Sequence, residues 1–271
     1  MYRSETPIVM LPGLGMDARM LQPQSNYFQN SFVLKLPEPT DSISLAEYAD
    51  RIASNWPKQL PALSVAEGID ERKVFLVGVA YGGMLALEIA LQIANQISQQ
   101  ASGESSRKSN QIAGVILIGS ARTRNNIPVA FRLQEKLIAR LPASVGRAAM
   151  KRSIIKLASD EGMSIEQKQM LLDTAQESDW NHIRRAANQV AKWDRKGSSF
   201  DTIGVPVYQI HGVQDRSIKP PLVSDATLLI FGRHMINLSM ATEVNRWIEA
   251  ILRDYNLNKM YGGKAGSHGG Q

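Results

Sequence analysis

The stretch "VFLVGVAYGGM", residues 74–84, decides the fold. It opens as an apolar run without a polar side chain, the pattern of a strand buried on both faces. Gly78, Gly82 and Gly83 then crowd a turn, and a helical pattern begins at Met84. A glycine two positions before and two after a residue lets the backbone adopt a strained strand-to-helix geometry, which lifts the central side chain above the carboxyl edge of a sheet. The central residue here is Ala80. Glycines also permit plain close packing of a strand on a helix, so the reading of this turn depends on the rest of the chain.

Working outward, short apolar runs alternate with helical stripes. "IVML" (8–11) and "SFVLKLP" (31–37) read as neighbouring strands, and "SISLAEYADRIASNW" (42–56) as a helix. That helix carries Leu45, Tyr48, Ala49, Ile52 and Trp56 at three- and four-residue spacing, with Ser42 or Ser44 as its cap and Glu47 as capping-box partner to Ser44. Further strands fall at 73–78, 113–121, 206–212 and 226–232, and further helices at 84–97 and 241–255. Alternation of this kind predicts an α/β fold, a mostly parallel, doubly wound sheet covered on both faces.

Residues 123–199 break the alternation. They show no strand pattern but four helical stretches, around 129–140, 145–158, 164–177 and 179–193, which predicts an all-helical cap inserted into a core made of residues 1–122 and 200–258. Residues 98–111 are polar and low in complexity and read as a flexible surface loop, and the glycine-rich 259–271 as a disordered tail. Phe131, Leu133, Leu137, Ile138, Leu141, Ile154, Ile155, Leu157, Met170, Leu171 and Leu172 supply the cap's apolar positions and are read as packing.

Composition narrows the chemistry. The 271 residues suffice for one large α/β domain with an insertion, or for two small domains. With no cysteine there is no disulfide, thiolate metal site or cysteine nucleophile. No metal motif is present and no cofactor is implied. The start of the chain lacks a signal-peptide pattern and no stretch has a membrane-spanning length, so the expectation is a soluble, cytoplasmic protein. The net charge of +6 resides in the helical insertion, where residues 122–200 hold 15 Lys/Arg against 8 Asp/Glu. A solvated surface accounts for this; a face for anionic lipid or anionic substrate is the alternative, and nothing points to nucleic acid. Oligomeric state is not readable.

Three more segments end at strand termini, where open α/β sheets bind ligands. "LPGLGMD" (11–17) follows the first strand with Gly13 and Gly15, "HGVQDRSIKP" (211–220) places Asp215 on a loop, and "FGRHM" (231–235) places His234 on the next one. Over nearly its whole length the chain resembles the α/β-hydrolase family: a loop after the first strand, the elbow, a helical cap, then Asp and His in that order. The resemblance implies a Ser-His-Asp ester hydrolase, for carboxylesters or thioesters, and the apolar, methionine-bearing cap with its basic surface fits a small or medium apolar acyl substrate better than a sugar or a peptide. It makes His234 the general base, Asp215 its orienting acid, and the backbone N–H groups of Leu14 and Tyr81 the oxyanion hole.

Two departures qualify it. Pro12 stands where the family often has the histidine of a His-Gly pair, which matters little for a main-chain donor. Ala80 stands at the nucleophile, and a methyl group can neither lose a proton nor form an acyl-enzyme. Three explanations follow: a Ser-to-Ala variant of an active parent, a natural pseudoenzyme that binds a ligand or partner, or a non-covalent reaction of the Asp215–His234 pair. Ser120, Tyr81, His182, His211 and His268 are poor substitutes for the missing nucleophile or a metal site, and His211 is expected to be a structural hydrogen-bonder.

Overall fold

The computed structural model describes residues 1–38, 43–55, 73–100, 111–196, 200, 202–221 and 226–262. Six strands build its sheet: β1 (Ile8–Leu11), β2 (Ser31–Val33), β3 (Val74–Val79), β4 (Ile112–Ile118), β5 (Val207–Gly212) and β6 (Ala226–Leu229). All pairs are parallel, in the order β2-β1-β3-β4-β5-β6. Every residue of β1, β3 and β4 is buried, which is why these strands are apolar throughout instead of alternating.

Helices α1 (Gln22–Tyr27), α2 (Leu45–Ser54), α3 (Tyr81–Gln100), α8 (Ile236–Ser239) and α9 (Ala241–Gly262) accompany the sheet. Between β4 and β5 come α4 (Val129–Ile138), α5 (Ala143–Asp160), α6 (Ile165–Glu177) and α7 (Trp180–Lys192). Ser44 caps α2 through the reciprocal bonds of a capping box with Glu47, and Leu45, Tyr48, Ala49 and Ile52 turn inward; Trp56 lies outside the described residues.

Several boundaries differ from the sequence reading. Helix α3 extends through Ser98 to Gln100, because no glycine or proline interrupts the polar end of the run before Gly103. The expected loop over 98–111 therefore starts too early, and its residues 101–110 lie outside the described ones. Helix α9 likewise continues to Gly262, since Leu257, Asn258 and Lys259 carry no breaker; the tail placed at 259–271 is helical at its start. Strand β6 stops at Leu229, where a turn closed by the Gly232 N–H on the Leu229 carbonyl leaves Ile230 and Phe231 exposed. Among the described residues no helix is long and apolar enough to cross a membrane.

One buried charge ties the helices after β4 to the sheet layer. Glu88 of α3 is fully buried and accepts from Arg195 Nε (2.8 Å), Arg195 Nη2 (2.9 Å) and Trp193 Nε1 (2.7 Å). Removing one partner of such a pair strands the other charge in a poor solvent, whereas replacing both with apolar groups is nearly neutral. Arg195→Met is expected to lower stability by about 3 kcal/mol in urea unfolding, with most of the loss recovered in the Glu88→Leu/Arg195→Met double variant. A single-variant loss below about 1 kcal/mol would show that the pair holds nothing together.

Candidate active site

The turn from β3 to α3 carries Ala80 in the left-handed region, at φ 50°, the one non-glycine residue with positive φ among those described. An L-residue there costs about 1–2 kcal/mol, so the surroundings must hold it. The Ala80 N–H donates to the Ile118 carbonyl at 3.0 Å, and its own carbonyl accepts from the Gly83 N–H (3.0 Å) and the Ser120 hydroxyl (2.6 Å). A Cβ on Gly78 would overlap the Gly82 carbonyl, and one on Gly82 the Leu11 carbonyl. Only glycine permits backbones to approach this closely. Ser120 is thus spent on shaping the turn and does not line the cavity beside it.

Asp215, on the loop after β5, meets His234, on the loop after β6: His234 Nδ1 lies 2.9 Å from Asp215 Oδ2. The other carboxylate oxygen accepts the backbone N–H groups of Ser217 (2.8 Å) and Ile218 (3.0 Å). A second histidine shares Oδ2. His211 Nε2, fully buried, sits 3.0 Å from it and 3.1 Å from the Ile218 carbonyl. Gln209 Nε2 lies 3.3 Å from His211 Nδ1, which places the proton of that ring on Nε2, facing the carboxylate.

Burial alone would raise the Asp215 pKa. The charge of His234 and the hydrogen bonds from His211, His234 and Ile218 outweigh it and hold the carboxyl well below the usual range. Burial would lower the pKa of His234, but the charge and hydrogen bond of Asp215 prevail and raise it above 6.5. With Nδ1 engaged, Nε2 is the ring nitrogen left for a substrate or water.

The histidine loop is anchored from two sides. Glu161, which ends α5, accepts from the Met235 N–H (2.8 Å) and the Ser239 hydroxyl (3.0 Å). Asn237 of α8 is tied to the segment before α1 and to α1 itself, its Nδ2 donating to the Met20 carbonyl (2.9 Å) and its backbone carbonyl accepting from Gln24 Nε2 (2.9 Å).

Ala80 and His234 line one cavity of about 580 Å³, together with Leu14 and Tyr81. The Tyr81 side chain is directed away, its hydroxyl donating to Gln189 Oε1 at 2.6 Å. Phe131, Ile138, Ile154, Leu157 and Leu171 line the cavity as well, whereas Leu133 and Leu137 are 60% exposed and Ile155 sits at the surface, against the packing expected of these three. The correction has a simple cause: α4 turns Phe131, Glu135 and Ile138 inward, and Leu133 and Leu137 lie on its other face. His182 lines a neighbouring cavity of about 340 Å³, and His268 lies outside the described residues.

The sequence reading missed the acid in that inward row. Glu135 is 5% exposed and lines the cavity, and its Oε2 is buried without a hydrogen-bond partner. Burial pushes its pKa up to about 7. A carboxyl at Phe131-Glu135-Ile138 spacing, on an otherwise apolar helical stripe, was the available signal. Glu161 and Gln209 left no such trace, because their roles depend on contacts distant in sequence.

No protein-family model and no curated protein sequence matches the chain. Its structure nonetheless superposes on solved structures over almost its full length. An esterase from Thermogutta terrifontis matches with a TM-score of 0.70 at 14% identity, over 93% of this chain and 91% of the other. MenH from S. aureus gives 0.66 at 13% identity over 94% and 97%, and the enol-lactonase from Burkholderia xenovorans 0.65 at 15% over 92% of each. At such identities the likeness concerns the fold: this chain has the α/β-hydrolase fold.

Glu135 makes stability depend on pH in a predictable direction. The folded protein keeps this proton up to about pH 7, while an unfolded chain releases it near 4.5, so the folded state binds more protons in that window and loses stability as pH rises. Relative to Glu135→Gln, the unmodified protein should lose about 3 kcal/mol between pH 4.5 and 8, read from paired urea titrations. Parallel pH profiles for the two proteins would contradict the burial of an unpaired carboxyl.

Proposed function

We propose that this chain carries the cleft of a carboxylester or thioester hydrolase for a small or medium apolar acyl compound, closed to covalent turnover by Ala80. The observation that carries the reading is that His234, hydrogen-bonded to Asp215, lines the same cavity as a left-handed Ala80. Holding alanine in that conformation costs about 1–2 kcal/mol, and such strain is concentrated at functional sites.

The chemistry follows from the residues. In the ester-hydrolase reaction a hydroxyl at position 80 would lose its proton to His234 Nε2 as its oxygen attacked the acyl carbon, and Asp215 would stabilise the resulting imidazolium. The main-chain N–H groups of Leu14 and Tyr81, at the start of α3, are the donors assigned to the oxyanion. With a methyl group at position 80 the first bond cannot form. What remains is ligand binding, and slow attack by a water that gives its proton to His234. The apolar lining, with Met16, Met20, Met84 and Met150, suits an acyl chain better than a sugar.

Ala80→Ser is expected to raise hydrolysis of a short-chain p-nitrophenyl ester series by about 10³-fold over the unmodified chain and to create a site labelled by a fluorophosphonate. Adding His234→Ala should abolish both. The rate of the serine form should climb with pH along a limb centred above 6.5, because His234 must be neutral to act as base. A folded Ala80→Ser protein without label or rate gain would remove the hydrolase reading.

A further inference from the structure

Glu135 has no role in the chemistry above. It sits on the inward row of α4, nine-tenths or more buried, in the wall of the cavity that holds Ala80 and His234. Its Oε2 meets no donor, and among the described residues no ion pair joins it to a cation. Ile127, Ile138, Ile154 and Leu157, which line the same cavity, are apolar. A carboxyl in such a place weakens the protein that carries it, because its lost hydration is not replaced. A methionine or leucine would suit the stripe better.

We propose that Glu135 is the polar recognition point of the cavity and accepts a hydrogen bond from an aliphatic hydroxyl on an otherwise apolar ligand. The assignment rests on the apolar-ligand cleft described above and adds the ligand's functional group. Either oxygen of a carboxylate, or the carbonyl oxygen of the neutral acid, accepts such a bond, so the contact does not require one ionisation state.

A hydroxyl fits better than an ammonium group. Lys156, Arg216 and Arg233 also line the cavity, against Asp160 and Glu161. Asp160 is already bound to Lys156 at 2.8 Å, and Glu161 is engaged with Met235 and Ser239. A cationic ligand would meet these three cations as well as the carboxyl and would also have to shed a tightly held hydration shell. An alcohol gives up far less on entering, and in the cavity finds an acceptor that lacks a donor.

Isomeric probes isolate the hydroxyl. Octan-1-ol and 1-methoxyheptane have the same atoms and nearly the same length, but only the alcohol donates a hydrogen bond. Calorimetric titration of the unmodified protein should show the alcohol binding about tenfold more tightly. Glu135→Met, similar in length and in helix propensity, should bind the two alike. Equal binding of the isomers to the unmodified protein would overturn the proposal while leaving the apolar cleft standing. A preference that persists in folded Glu135→Met would overturn it too, since the donor would then have another partner. Tighter binding of octylammonium than of octan-1-ol would replace the hydroxyl by a cation. If neither isomer binds, the acyl-ligand reading of the cavity falls with it. Should Glu135→Met fail to fold, the isomer comparison on the unmodified chain still decides.

Discussion

The close approach of three backbones at the end of β3 is the constraint on which the rest of the site depends. Gly78 packs against Gly82, and Gly82 against the carbonyl of Leu11, so β1, β3 and the start of α3 meet without a side chain between them. The compression holds Ala80 in a left-handed conformation, starts α3 at Tyr81, and fixes the loop after β1 beside it. It also sets what can surround the turn. Ser120, fully buried at the end of β4, donates its hydroxyl to the Ala80 carbonyl and so braces the geometry from the far side.

Much of this was legible in residue order. The uninterrupted apolar runs gave buried parallel strands, the glycines marked the elbow, and the polar residues at strand ends, Asp215 and His234, do meet in space. Helix and strand ends were read less well where the governing signal was an absence. Gln99 and Gln100 extend α3 because nothing stops it, whereas Ile230 and Phe231 look like strand but lie beyond the turn that ends it. Contacts between distant segments were not legible at all. No local pattern announces that Glu161 will reach Met235, or that His211 and His234 will share one carboxylate oxygen.

The two carboxyls of the site show how environment divides one chemical group into two. Asp215 is almost wholly buried, yet it is surrounded by donors: two imidazoles and two backbone N–H groups. Its negative charge is therefore better accommodated than in water. Glu135 is buried to a similar degree, and its Oε2 has no donor. Burial shifts the second upward and is overruled in the first, and the difference lies wholly in what the neighbours can give.

The bonds from Glu161 to Met235 and Ser239 have a mechanical consequence. Glu161 ends the helix that carries Ile154 and Leu157 into the cavity wall, and it grips the residue next to His234. The wall and the imidazole are thus two ends of one lever. Pressing α5 outward would pull on the histidine's own backbone, so the volume of the chamber and the position of the imidazole form a single coordinate.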